Sequence, residues 1–235
     1  FMGYDLPIGK KGNIPSSKTY KKIYPNGGWR STTIVSNAIG QGEVLMTPIQ
    51  LANMMATVAN QGYYYTPHII KKIEGKKIDP KFTTKHETTI DKKYFPPVIS
   101  GLFDVYNMGT AHALRVEGID ICGKTGTAEN FAKINGVRTK LKDHSIFVAF
   151  APKDNPKIAI AIMIENGGFG ATVAGPIASL MIEKYLRKKI TRTDLEIRVL
   201  NKSLISEYAK LGGISEAAAI ESTPKDSVMR AKMIK

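Results

Sequence analysis

An α+β domain, built on an antiparallel sheet with helices packed on both faces, is the architecture this sequence predicts, and three observations point to it. Two β-like runs, His144 to Ala151 and Lys157 to Glu165, are separated only by Pro152-Lys-Asp-Asn-Pro156, a turn, so they should pair as an antiparallel hairpin. The second run is apolar at nearly every position, as expected of a strand covered on both faces. Helices must then pack on the sheet, and stretches within 48–60, 96–109 and 171–188 carry apolar residues at helical spacing.

Residues 1 to 45 hold Pro7, Gly9, Gly12, Pro15, Pro25, Gly27 and Gly28 without a sustained period, which predicts an irregular surface segment. Thr47-Pro48-Ile49-Gln50 then combines a hydroxyl N-cap, a proline at the first helical position and a glutamine three residues after the cap, a capping box. A helix is predicted from Pro48 to about Asn60, with Leu51, Met54, Met55 and Val58 on its buried face and Gly62 at its stop. Residues 71 to 94 are polar and lysine-rich, a hairpin or loop excursion. A second helix starts at Pro96-Pro97, draws on Val98, Ile99, Leu102, Phe103, Val105 and Tyr106, and ends near Gly109. A strand is predicted over Gly118 to Gly123, where Ile119 and Ile121 alternate with Asp120 and Cys122. Ala171 to Lys188 sets Ile177, Leu180, Met181 and Tyr185 against Glu183, Lys184, Arg187 and Lys188, an amphipathic helix. After Lys189 the chain turns polar, with weak helical patches such as Leu204 to Leu211. One domain is therefore predicted over 1–189 and a poorly ordered tail over 190–235.

The 235 residues are 43% hydrophobic and 23% charged, an ordinary globular balance that excludes disorder and collagen-like architecture. No apolar run approaches the ~18 residues needed to cross a bilayer, so a membrane anchor, if there is one, lies elsewhere. The chain opens Phe1-Met2-Gly3 with no signal-like segment, which predicts a piece of a longer product. Cys122 is the single cysteine, which forbids an internal disulfide. The net charge of +14 favours anionic surfaces, but the lysines are dispersed and accompany no aromatic ladder or zinc-finger spacing. A solvated basic surface is predicted, and no nucleic-acid partner.

One segment carries chemistry and can be framed in two ways. Gly118-Ile-Asp-Ile-Cys-Gly-Lys-Thr125 satisfies the phosphate-loop pattern, which requires a buried strand before it, a cradle of backbone N–H groups and a helix directly after it. Here the segment upstream is no convincing strand, the spacer alternates like a strand itself, and Gly126 falls where the helix should take its first turn. The second frame is Lys124-Thr125-Gly126-Thr127, the third signature of serine β-lactamases and penicillin-binding proteins. An acyl-transfer site for a peptide ending in a carboxylate needs a cation, hydroxyls to grip the carboxylate and a backbone N–H aimed at the oxyanion. Alternation puts Thr125 and Thr127 on one side with Lys124 reaching round, and Gly126 leaves room for substrate to pair as an added strand.

Around this tetrad lie Ile39-Gly-Gln-Gly42, Thr47-Pro-Ile-Gln-Leu-Ala52, Ala59-Asn-Gln-Gly62, Pro67-His68, Gly109-Thr-Ala111, Lys124-Thr-Gly-Thr-Ala128, Asp143-His144, Ala149-Phe-Ala-Pro152 and Glu165-Asn-Gly-Gly168. In this order, across about residues 1 to 188, they resemble the C-terminal part of the transpeptidase domain of the penicillin-binding protein 2 family, class B enzymes of the elongation machinery. The resemblance implies a serine β-lactamase/transpeptidase-like fold, incomplete because the N-terminal hairpin and nucleophile helix are missing. It implies a D,D-transpeptidase that cross-links peptidoglycan at the periplasmic face of the inner membrane. Lys124 would support proton transfer and the substrate carboxylate, and Thr125 and Thr127 would bind the carboxylate of a stem peptide ending in D-Ala-D-Ala. The backbone N–H of Thr127 would complete the oxyanion hole, and Gly126 would line the substrate. The resemblance also implies binding of β-lactams, partners in the elongation complex including a polymerase of the shape, elongation, division and sporulation family, and no cofactor or metal.

The departures matter as well. The only literal Ser-x-x-Lys is Ser222-Thr-Pro-Lys225, where proline breaks the turn that would join serine to lysine, and Ser36-Asn37 lacks the spacer of Ser-x-Asn. The chain is thus expected to hold one wall of the cleft without the reacting serine, and to be inactive alone; a β-lactamase-type hydrolase and the nucleotide-binding frame stay as alternatives. His68, His86, His112 and His144 have no Asp, Glu or Cys partner at ligand spacing, so structural or surface roles are expected. Cys122 is expected to be a small core residue, and Trp29 either lines the cleft mouth or pins the irregular segment.

Overall fold

The computed structural model describes Asp5 and residues 9–212, and these fall into two compact units divided after Asp91. The first holds helices α1 (Ser17–Ile23), α2 (Ser31–Ala38) and α3 (Pro48–Ala59), strand β1 (Tyr63–Tyr64), the short helix α4 (Pro80–Thr83) and strand β2 (His86–Glu87), which pairs antiparallel with β1. The predicted capping box is present: Thr47 and Gln50 satisfy each other's orphan N–H groups at the start of α3, which ends at the C-cap Asn60. Met55 is its buried anchor, whereas Met54 turns outward. The expectation of an irregular segment before residue 45 is corrected by α1 and α2. Ser16 and Thr19 form a second capping box on α1, and Tyr20 is buried with its hydroxyl donating to Glu43 Oε2 at 2.7 Å. Trp29 stacks on Tyr20 with ring centroids 5.5 Å apart, so it pins this segment.

The second unit runs from α5 (Phe95–Asn107) through β3 (Cys122–Ala128), the ribbon of β4 (Phe131–Ile134) and β5 (Val137–Lys140), β6 (His144–Ala151) and β7 (Ile158–Ile164) to α6 (Ala174–Arg187), α7 (Thr193–Leu200) and α8 (Ile205–Gly212). The expected β6–β7 hairpin forms, and β3 joins it antiparallel in the order β3-β6-β7. Phe147, Ala149 and Ala151 of β6 point to one face and meet Tyr106 of α5 and Ala174, Ala178 and Ile182 of α6 in a continuous core. Cys122, Val148 and Phe150 point to the other face and are buried too. The sheet is therefore buried on both sides at β6, but the expectation that the second run is covered on both faces is corrected: β7 is an edge strand whose Met163 is exposed on the face away from the core, and α5 and α6 share a face instead of dividing between them.

Polarity after Lys189 predicts little order, yet α7 and α8 occupy 193–212; the remainder of that stretch, with Ser222-Thr-Pro-Lys225, lies outside the described residues. A buried carboxylate explains why the chain turns back after α6. Glu183 accepts from Thr191 N at 3.0 Å, from the Thr191 hydroxyl and from Arg192 Nε at 2.9 Å. Burial pushes this carboxyl up, but the bonds from Thr191 and Arg192 outweigh it and hold the group below its ordinary value.

Candidate active site

The tetrad sits in the middle of β3. The predicted strand over Gly118 to Gly123 is corrected to Cys122–Ala128, because upstream of Cys122 the chain folds into a tight turn bridging Val116 to Ile119. Pairing starts at Cys122↔Phe150, near the place where β6 ends at Ala151 and the adjoining Pro152 offers no N–H. The phosphate-loop frame loses its geometry at the same point. Gly123, Lys124 and Thr125 are successive rungs of a ladder with β6, and β3 leads into the β4–β5 ribbon, not into a helix.

Register places Lys124 opposite Val148, Thr125 opposite Phe147, Gly126 opposite Ile146 and Thr127 opposite Ser145. Lys124 is exposed, and its ammonium donates to the Thr125 carbonyl at 2.8 Å, so the cation curls along its own strand toward the threonine side. Thr125 Oγ1 lies 3.0 Å from Thr110 Oγ1, in the Gly109-Thr-Ala111 turn that closes α5. Among the described residues β3 has no strand on its outer side, which leaves a free edge able to accept an extended peptide. Lys124, Thr125, Gly126 and Thr127 lie side by side on this edge strand, with Lys124 exposed and Thr125 beside Thr110.

Behind the strand is a device that residue types alone did not reveal. Gly170 comes so close to β3 and β6 that a Cβ there would lie 2.3 Å from the Ile146 carbonyl oxygen and 2.6 Å from that of Gly126. Only glycine fits this approach. The loop carrying it is tied down by the motif residues around it. Ser145 Oγ donates to the Phe169 carbonyl and accepts from Ala174 N, both at 3.0 Å, so β6 itself caps α6. His144 Nδ1 accepts from Asn166 N at 3.2 Å, Asn130 Nδ2 donates to Asn166 Oδ1 at 2.6 Å, and Gly168 N donates to the Asp143 carbonyl at 2.7 Å. Asp143-His144 and Glu165-Asn-Gly-Gly168 therefore serve as a brace for the far end of the tetrad.

The remaining candidates have structural places. His86 stacks on Tyr64 at 5.1 Å between centroids, and His68 packs on Phe82 at 4.9 Å. Cys122 is fully buried, and burial pushes its thiol up to about 12, which makes it a core residue.

An antiparallel sheet backed by α6, with Lys-Thr-Gly-Thr on its edge strand, carries one of the three signatures shared by serine β-lactamases and penicillin-binding proteins. The sequence model described as penicillin binding protein transpeptidase domain matches residues 2–183. The chain belongs to that family. It is 30% identical over 212 residues to the peptidoglycan D,D-transpeptidase MrdA of Haemophilus influenzae, covering 82% of this chain and 32% of that protein. The Pseudomonas aeruginosa PBP2 structure in complex with WCK 5153 superposes with a TM-score of 0.65 at 32% identity, over 80% of this chain and 42% of that one. The complex between PBP2 and MreC from Helicobacter pylori gives 0.62 at 29% identity, over 79% of this chain and 33% of that one. The chain spans about a third of the length of the curated relatives it matches.

Proposed function

We propose that the protein to which this chain belongs is a peptidoglycan D,D-transpeptidase working through an acyl-serine intermediate. The observation that carries this is the tetrad on a free sheet edge, with Lys124 exposed and the strand braced from behind. The serine that attacks lies on polypeptide outside this chain, in a Ser-x-x-Lys whose lysine takes the serine proton. Its oxygen adds to the carbonyl of the penultimate D-alanine, the terminal D-alanine leaves as a protonated amine, and an acceptor amine then displaces the serine. Lys124 supplies positive field for proton transfer and for the terminal carboxylate, Thr125 and Thr127 donate to that carboxylate, and the Thr127 N–H faces the oxyanion. Gly126 keeps the edge open beside the peptide.

β-Lactams, which present a carboxylate and an acylating carbonyl to the same groups, are ligands in this scheme. A membrane anchor upstream would hold the site at the periplasmic face of the inner membrane; no described helix is long and apolar enough to cross a membrane. The Helicobacter pylori complex with MreC supports elongation-complex proteins as partners, and a polymerase of the shape, elongation, division and sporulation family belongs with them. Fluorescent penicillin incubated with the full-length protein tests the assignment: a stable stoichiometric label is expected. Turnover of the drug would make the protein a hydrolase, and no label would refute acyl-serine chemistry.

A further inference from the structure

We infer that the β4–β5 ribbon is a second substrate-contacting surface, one that takes acidic residues of the peptide upstream of the end gripped by the tetrad; this rests on the transpeptidase reading above. The ribbon turns on Asn135-Gly136, both at positive φ (49° and 83°), flanked by Ile134 and Val137. Its register opposes Phe131 to Lys140 and Lys133 to Arg138, so alternation gathers these four side chains on one face.

Two cations directly opposed across a ribbon repel each other. Lys133 and Arg138 are so placed, and among the described residues neither has an ion-pair partner. The Arg138 guanidinium lies 4.0 Å from the Phe131 ring centroid, and the Lys140 ammonium 5.9 Å from it. Glu129 is the nearby acid, 3.5 Å from Lys140, and the face as a whole is exposed. A guanidinium laid on an aromatic ring is pre-oriented and keeps its N–H fork for a carboxylate. A carboxylate between Arg138 and Lys133 would relieve their repulsion.

The ribbon is anchored and well placed for this. Leu141 N donates to the Asn130 carbonyl at 3.0 Å, and Asn130 Nδ2 donates to the Lys142 carbonyl at 3.3 Å, which fixes its base. Phe131 follows Ala128, the last residue of β3, by three positions, at most about 10 Å of extended chain. A peptide with its terminal carboxylate at Thr125 and its scissile carbonyl at the Thr127 N–H runs antiparallel to β3. Its upstream residues are then carried past Ala128 toward the ribbon.

The test uses the full-length protein, first shown to label with fluorescent penicillin, and two acetylated peptides ending in D-Ala-D-Ala, one with two glutamates upstream and one with glutamines there. The glutamate peptide is expected to have the higher kcat/KM, by on the order of threefold to tenfold at low salt, the advantage shrinking as salt screens exposed charges. Lys133→Glu with Arg138→Glu should reverse the preference; a variant that had merely lost structure would lose both peptides together. If labelling occurs but the two peptides react alike, or the double variant leaves their ratio unchanged, the ribbon inference is overturned and the transpeptidase reading stands. Failure to label would overturn both.

Discussion

Replacing Gly170 by alanine should separate the brace from the strand it supports. The added Cβ would lie 2.3 Å from the Ile146 carbonyl oxygen, 2.6 Å from the Gly126 oxygen and 3.0 Å from the Gly126 nitrogen, all backbone atoms that cannot rotate away. Ordinary contacts of this kind sit near ~3.5 Å, so the loop must withdraw by about 1 Å. Overpacking of a well-filled site costs roughly 1–3 kcal/mol, and three backbone clashes at once put this case at the upper end, about 3 kcal/mol. For a chain of this size each kcal/mol moves Tm by about 2–4 °C, so a fall of about 6–12 °C is expected. Gly101→Ala supplies the opposite sign. That glycine is exposed within α5, and a Cβ there meets nothing within 4 Å. Removing a mid-helix glycine should add about 0.5–1 kcal/mol. Circular-dichroism melts of both variants and the unmodified chain decide the matter. If Gly170→Ala melts with the unmodified chain, the loop does not brace β3 as described.

The other consequences concern charge, capping and reactivity. Glu183 titrates below its ordinary value of 4.5 when folded, so the folded state holds fewer protons at this group than the unfolded state does. Its contribution is full above that value and is lost as pH falls through the lower folded one; Glu183→Gln should lower stability near neutrality and by progressively less below pH 4.5 in acid-unfolding curves. Thr47→Ala removes the side-chain half of the box on α3 and should cost about 1 kcal/mol in denaturant titration. Cys122, buried and with its thiol pushed up to about 12, should resist maleimide at pH 8 until denaturant is added. Rapid labelling of the folded chain would contradict its placement in the core.

What could be read from residues alone was what depends on neighbours in the chain. Thr47-Pro-Ile-Gln50 contains its own cap, and Pro152 to Pro156 contains the turn between β6 and β7, so both came out as expected. The tetrad was found for the same reason, but its strand was placed too early, since the limit of β3 is set by where β6 can pair. The ribbon was legible and missed: Asn135-Gly136 between Ile134 and Val137 is a strong hairpin signal, obscured by strands only four residues long. Helices α1 and α7 went unseen because both stretches are short: α1 is polar and fixed by Tyr20, and α7 offers only the Leu195–Val199 pair as an apolar side and follows directly on Arg192, which is bound to Glu183. Gly170 could not have been picked out. Its need for hydrogen in place of a side chain arises where a loop meets the backbone of two strands distant in sequence.

The most direct test of the central claim is the rate at which fluorescent penicillin acylates the full-length protein carrying Lys124→Ala. Lys124 is exposed and among the described residues its side chain bonds its neighbour's carbonyl alone, so the change should leave stability within about 0.5 kcal/mol. Removing the cation from the wall of the cleft should slow acylation by about 10²- to 10³-fold. An acylation rate within twofold of the unmodified protein would mean that this strand edge does not form the reacting site.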